Sequence, residues 1–78
     1  MKQYSKEDLE KILVALDSGE YGQILRSKGI VPCTCGKWLH FDYVPEEHEV
    51  RCGPADYTGR ICVIGANLDE HKLHELFF

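Results

Sequence analysis

Two short runs of alternating apolar and polar residues flank the segment Pro45-Glu46-Glu47-His48. Alternation on both sides of a short polar connection predicts an antiparallel β-hairpin, with strands over Trp38–Val44 and 49–52. Opposed residues in a hairpin share one face of the sheet, so the register should join residues of like polarity. We predict these pairs: Val44 with Glu49, Tyr43 with Val50, Asp42 with Arg51 and Phe41 with Cys52. One face of this hairpin is apolar and must be covered by other elements.

Two amphipathic segments can supply that cover. The apolar residues of the first recur at the spacing of a helical stripe: Leu9, Ile12, Leu13 and Leu16. Ser5 precedes the stripe as a typical N-cap and Gly19 follows it as a typical stop, so we predict a helix over 6–17. A second helix is predicted to begin at 68–70 and to present Leu73, Leu76 and Phe77.

Two further segments have the composition of strands. Residues 24–31 are apolar and basic and are followed by Pro32, whereas 60–64 are nearly all apolar, as in a strand at the centre of a sheet. A chain of 78 residues has room for one small domain. We therefore expect a single α+β domain over 1–78, a two-layer sandwich in which both helices pack on one face of a four-stranded, mainly antiparallel sheet.

The distribution of charge limits the classes of partner. Thirteen acidic residues against nine Lys and Arg give a net charge of −4, which argues against nucleic-acid binding. No apolar run is long enough to span a bilayer and no signal peptide is evident, so we expect a cytoplasmic protein. Separated basic and acidic residues favour two solvated faces over a partner contact surface, although the second reading stays open. The candidates for such a surface are Arg26, Lys28, Glu46, Glu47 and Glu49.

Four cysteines raise the question of a metal site. A closed zinc site needs four ligands, usually in two closely spaced pairs, and Cys33-Thr34-Cys35 supplies at most one pair. Cys52 and Cys62 fall in predicted strands, where a free cysteine is more often a small buried residue. Without an export signal we expect all four thiols to be reduced. We predict no metal ligand, and we keep a small metal-binding module using Cys33, Cys35 and nearby histidines as the alternative.

No catalytic motif is evident in the sequence. It contains no G-x4-G-K-[ST] phosphate loop and no G-x-S-x-G nucleophile elbow. A cysteine and a histidine close in sequence, such as Cys35 and His40, do not by themselves form a catalytic dyad. We therefore predict no catalytic residue, no cofactor-binding residue and no enzyme activity for this chain.

Three segments, in this order and spacing, resemble the C-terminal domain of the CobW-type GTPase family: GQILRSKGIV (22–31), WLHFDYVPEEHEVR (38–51) and DYTGRICVIGANLDEHKL (56–73). With the preceding helix, the resemblance covers essentially the whole chain. It implies a fragment, or a stand-alone copy, of a protein whose GTPase domain is a separate unit. Members of that family are linked to cobalamin biosynthesis and to metal delivery.

The resemblance also implies where cofactors and partners belong. GTP, magnesium and a transition metal are expected only for the P-loop GTPase domain, which carries a C-x-C-C metal motif. Here Cys35 is followed by Gly36, so Cys33-Thr34-Cys35 does not inherit that role. We expect a non-catalytic accessory domain that contacts the family GTPase domain in cis or in trans, a client metalloprotein or another copy of itself, and neither nucleic acid nor a membrane.

Overall fold

The computed structural model describes residues 3–55 and 59–78. Residues 56–58, which open the third resembling segment, lie outside the described residues. The elements in chain order are α1 (Lys6–Ala15), a 3-10 turn (Leu16–Ser18), β1 (Gln23–Pro32), β2 (Trp38–Val44), β3 (Glu47–Gly53), β4 (Arg60–Ala66) and α2 (Glu70–Phe77). The strands form one antiparallel sheet in the order β3-β2-β1-β4. The α+β prediction is confirmed, and each predicted segment matches an observed element to within two residues.

The first helix begins and ends at the predicted signals. The Ser5 hydroxyl accepts a hydrogen bond from the Asp8 N–H at 3.0 Å, which satisfies one of the unpaired donors of the first turn. After the 3-10 turn, Gly19 takes a positive φ of 83°, a conformation that glycine adopts without a steric penalty. The predicted stripe of leucines and Ile12 is buried.

The hairpin register differs from the predicted one by two residues. Val44 pairs with Glu47, Phe41 with Val50 and Asp42 with Glu49, so the connection is the two-residue turn Pro45-Glu46. The four-residue loop and the predicted register were therefore wrong. The shorter turn is possible because Glu46 adopts a positive φ of 66°, and its N–H is bonded to the Asp17 carboxylate at 2.9 Å. Because the register differs by an even number of residues, each side chain of the hairpin stays on the face of the sheet that was predicted for it.

Both helices pack on the same face of the sheet, as predicted. A single buried cluster unites α1, the sheet and α2, and includes Leu9, Leu13, Phe41, Tyr43, Leu73 and Phe77. The rings of Phe41 and Phe77 stack with centroids 6.3 Å apart, which joins the second strand to the end of α2. The Tyr4 hydroxyl donates a hydrogen bond to the carbonyl oxygen of Phe77. Tyr4 is thereby joined to the end of α2 within the core.

Three expectations about strand interiors were wrong. The apolar strand β4 lies at an edge of the sheet rather than at its centre, because β1 accepts it on the side that β2 does not occupy. Cys62 faces away from the helices and is exposed. Cys52 pairs with Leu39 and so lies on the helix side. Its side chain is nevertheless exposed, because β3 is an edge strand and Cys52 is next to the last residue of that strand.

Candidate interaction surface

The sheet face opposite the helices, here called the open face, contains the candidate site. Within residues 3–55 and 59–78 no helix packs on it. Strand alternation and the observed pairings place one row of residues across it from β3 to β4: Glu49, Asp42, Lys28 and Cys62. The adjacent row consists of Arg51, His40, Ile30 and Arg60. Cross-strand neighbours of this kind lie about 5 Å apart, close enough for long charged side chains to interact.

Asp42 organises the charges on this face. Its two carboxylate oxygens lie 3.3 Å from Arg51 Nη1 and 3.8 Å from Arg26 Nη2. The same Arg51 nitrogen lies 3.5 Å from a carboxylate oxygen of Glu49. All four side chains are about half exposed or more, and exposed ion pairs contribute at most about 1 kcal/mol each. The network therefore contributes little to the stability of the fold, and it places charges of both signs side by side on the open face.

The predicted contact residues are only partly brought together. Arg26, Lys28 and Glu49 share the open face, and Glu47 extends it next to Val44. Glu46 lies in the turn at the end of the hairpin instead. Lys28 makes no ion pair with the described residues, so its charge is available to a partner.

Apolar side chains complete the surface, and the sequence analysis missed them. Val44 and Ile64 are 41% and 54% exposed and lie near Arg26 on the open face. Leu25, 52% exposed, occupies the bulge where the β1–β4 register shifts. Alternation within β4 was the available signal, since it separates Arg60, Cys62 and Ile64 from the helix-facing Ile61 and Val63. Large exposed apolar groups among charges are typical of surfaces that bind proteins.

A carboxylate fixes the turn that ends this surface. Asp17 accepts hydrogen bonds from the Tyr43 hydroxyl at 2.5 Å and from the Glu46 N–H at 2.9 Å. Both hydrogen bonds lower the pKa of Asp17, and the bond from Tyr43 has the larger effect. Burial and the adjacent carboxylate raise the pKa of Tyr43 well above its ordinary value, so the phenol keeps its proton and remains a donor. The hairpin is thus tied to the end of the first helix.

The segment Cys33-Thr34-Cys35 forms part of the turn between β1 and β2. The Cys33 N–H donates to the Lys37 carbonyl at 2.8 Å, and the Gly36 N–H donates to the Cys33 carbonyl at 3.2 Å. The Cα atoms of Cys33 and Cys35 lie 5.1 Å apart in this turn, close enough for a disulfide. The expectation of four reduced thiols stays a prediction. Elsewhere in the described residues, no group of three or more potential metal-ligating side chains is close enough together to hold an ion.

Comparison with known proteins establishes the family. The profile of the cobalamin synthesis protein cobW C-terminal domain matches residues 2–78, and the chain belongs to this family. No curated protein sequence matches the chain. The crystal structure of Zn(II)-bound YjiA GTPase from E. coli contains a similar fold, with a TM-score of 0.77 and 17% sequence identity. The match covers 97% of this chain and 26% of the YjiA chain, so this protein spans about a quarter of that length.

Neither helix of the described residues has the length and apolar character required to cross a bilayer.

Proposed function

We propose that this chain is a non-catalytic accessory domain that works with a GTP-dependent metal chaperone. Membership in the cobW C-terminal domain family supports the accessory role, and the similar fold within a Zn(II)-bound GTPase supports the link to nucleotide and metal. The sequence has no phosphate-binding loop, so the nucleotide would be bound by a GTPase domain in cis or in trans. The chain's own contribution is recognition.

The observation that carries this proposal is the open face. Asp42 forms ion pairs with Arg26 and Arg51, Lys28 is unpaired among the described residues, and Val44 and Ile64 are exposed beside them. A surface of preorganised charges with apolar groups gives a partner both area to bury and a pattern of charge to match. We assign the family GTPase domain to this face. A client metalloprotein and self-association are the competing occupants.

A titration of the GTPase domain from the same organism into this chain tests the assignment. We expect saturable binding in calorimetry, weakened at least about tenfold by Asp42→Arg, because reversing the central charge places like charges together. Glu10→Arg makes the same charge change on α1, on the far side of the domain, and should leave the affinity unchanged. Equal weakening by both variants would contradict the assignment of the open face.

A second titration tests the absence of catalytic chemistry. The isolated chain should give no binding heat with Mg·GTP, because no segment combines a glycine-rich loop with a lysine and a magnesium-binding hydroxyl. Micromolar nucleotide affinity would overturn the accessory-domain proposal. Stoichiometric zinc binding by the reduced chain that is lost in Cys33→Ser/Cys35→Ser would instead support the metal-binding module.

A further inference from the structure

The turn between β1 and β2 places two cysteines beside one another. The Cα atoms of Cys33 and Cys35 lie 5.1 Å apart, within the range that a disulfide spans, and their sulfur atoms are in contact. The Cys35 N–H also donates a hydrogen bond to the Cys33 sulfur at 3.2 Å. The path of the chain in this turn therefore suits an internal disulfide.

Hydrogen bonds on both sides order the backbone of the turn. The Cys33 N–H donates to the Lys37 carbonyl at 2.8 Å, and the Thr34 N–H donates to the Tyr4 carbonyl at 2.9 Å. Neither bond involves a sulfur atom, so the reduced turn and the oxidised turn can both keep them. Because the backbone is already ordered, the two cysteines are preorganised to react with each other.

The two sulfur-bearing residues differ in their access to solvent. Cys33 is 4% exposed and belongs to the buried cluster, whereas Cys35 is exposed. Apart from its chain neighbours, no described residue has a heavy atom within 4 Å of the position that a Cβ would take at Gly36, so the turn is open next to Cys35. A reagent from solution therefore reaches Cys35 first, and Cys33 is placed to react only with Cys35.

A bond between these two cysteines would add little to the stability of the fold. Only Thr34 separates them, and a disulfide that closes so short a loop removes little conformational entropy from the unfolded chain. Disulfides with exposed sulfur atoms are typically the labile ones that have regulatory or catalytic roles. A bond that forms only when an oxidant is supplied also agrees with the prediction of reduced thiols.

From these observations we infer that Cys33 and Cys35 form a redox-active pair that exchanges with a low-molecular-weight disulfide. The Cys35 thiolate attacks one sulfur of the oxidant and expels one thiolate, which leaves a mixed disulfide on Cys35. The Cys33 thiolate then attacks the Cys35 sulfur, expels the second thiolate and closes the Cys33–Cys35 bond. The oxidant gains two electrons, and the protons lost by the two cysteines convert the expelled thiolates to thiols.

The first experiment treats the reduced chain with glutathione disulfide at neutral pH and maps its peptides by mass spectrometry after an acid quench. The peptide that contains Cys33 and Cys35 should become lighter by two hydrogen atoms, the mark of an internal disulfide. Cys52 and Cys62 are exposed and lie on opposite edge strands, too far apart to bond with each other. They are the internal control, and each should gain one glutathione. Glutathione adducts at all four cysteines, with no internal disulfide, would overturn the inference.

Two variants in the background Cys52→Ser/Cys62→Ser test the order of attack. Cys33→Ala removes the buried thiol, so the mixed disulfide on Cys35 should accumulate. Cys35→Ser leaves only the buried thiol, which should react with glutathione disulfide at least about tenfold more slowly. Equal rates for the two variants would contradict the assigned roles. Circular dichroism verifies that each variant is folded, and the result for the unaltered chain stands even if one is not.

Urea denaturation separates a redox-active pair from a structural disulfide. The oxidised and reduced forms of the Cys52→Ser/Cys62→Ser chain should unfold at similar urea concentrations, because the loop that the bond closes is so short. Unfolding of the chain on reduction would overturn the inference, since the bond would then be required for the fold. The inference concerns a turn rather than the open face, so it does not depend on the proposed function.

Discussion

The helix-covered face and the open face of the sheet consist of alternate residues of the same four strands. On β2, Phe41 and Tyr43 are 1% and 2% exposed, while Val44, the next residue, is 41% exposed. The covered face joins both helices in one apolar cluster, whereas the open face is linked by half-exposed ion pairs. Burial of apolar area stabilises a fold far more than surface ion pairs do. The covered face therefore determines the fold, and the open face can vary to suit a partner.

The largest effect should follow from a substitution beneath the helices. Leu13 is fully buried, so Leu13→Ala should cost about 2–5 kcal/mol of unfolding free energy through lost burial and a residual cavity. Val14, the next residue, is 57% exposed, and Val14→Ala should change stability by less than about 0.5 kcal/mol. Urea denaturation measures both. A loss below about 1 kcal/mol for Leu13→Ala would mean that Leu13 is not a core residue and that the covered face does not determine the fold.

An intermediate effect is expected where the two faces meet at the hairpin turn. Tyr43→Phe retains the buried ring and removes the hydroxyl that donates to Asp17. Because the carboxylate is exposed, we expect a loss of about 1 kcal/mol rather than the larger value of a buried hydrogen bond to a charged group. A double-mutant cycle with Asp17→Ala measures the interaction free energy between the Tyr43 hydroxyl and the Asp17 carboxylate. Additive losses in the cycle would show that the two groups do not interact.

The Asp17 carboxylate should also make the stability of the fold depend on pH. Since its pKa is lowered in the folded chain, ionised Asp17 stabilises the fold above the ordinary carboxyl pKa of about 3.9, and this contribution is lost as the pH falls through the folded value. The stability difference between wild type and Asp17→Asn should be full at neutral pH and shrink below about pH 4. Urea melts over this range measure it. A difference that grows on acidification would have the wrong sign.

The smallest effect on stability should come from the open face. Arg51→Ala removes ion pairs to Asp42 and Glu49, yet all these side chains are about half exposed or more. The expected loss is below about 1 kcal/mol, and it should fall further in high salt. Thermal melts at two salt concentrations test this. A loss comparable to that of Leu13→Ala would mean that the open face is structural.

Local patterns were sufficient to predict the elements and their faces, but not the contacts between distant segments. Alternation identified Phe41, Tyr43 and Val50 as helix-facing, and their burial confirms it. The register was wrong because the Pro45-Glu46 turn is stabilised by Asp17, a residue 29 positions away. β4 was interpreted as a central strand because its residues are apolar. Its own sequence does not indicate that only one strand, β1, pairs with it.

The same limit applies to the candidate surface. Arg26, Lys28 and Glu49 were predicted as contact residues because charges cluster along the chain, and strand pairing does place them on one face. Arg60 and Ile64 join that face only through the pairing of β4 with β1, which connects residues 30 or more positions apart. Sequence alone gives no sign of which distant strand accepts β4. The surface could therefore be predicted in part and assembled only from the structure.

Methyl NMR of the isotope-labelled chain, titrated with the GTPase domain, shows directly whether the partner binds the open face. Val44 and Ile64 report on the open face, and Val14 reports on the outer surface of α1, since all three are exposed. The Val44 and Ile64 methyl signals should shift on binding, while those of Val14 should not. Shifts at Val14 with unchanged Val44 and Ile64 signals would contradict it, because the partner would then bind the helices and leave the open face to solvent.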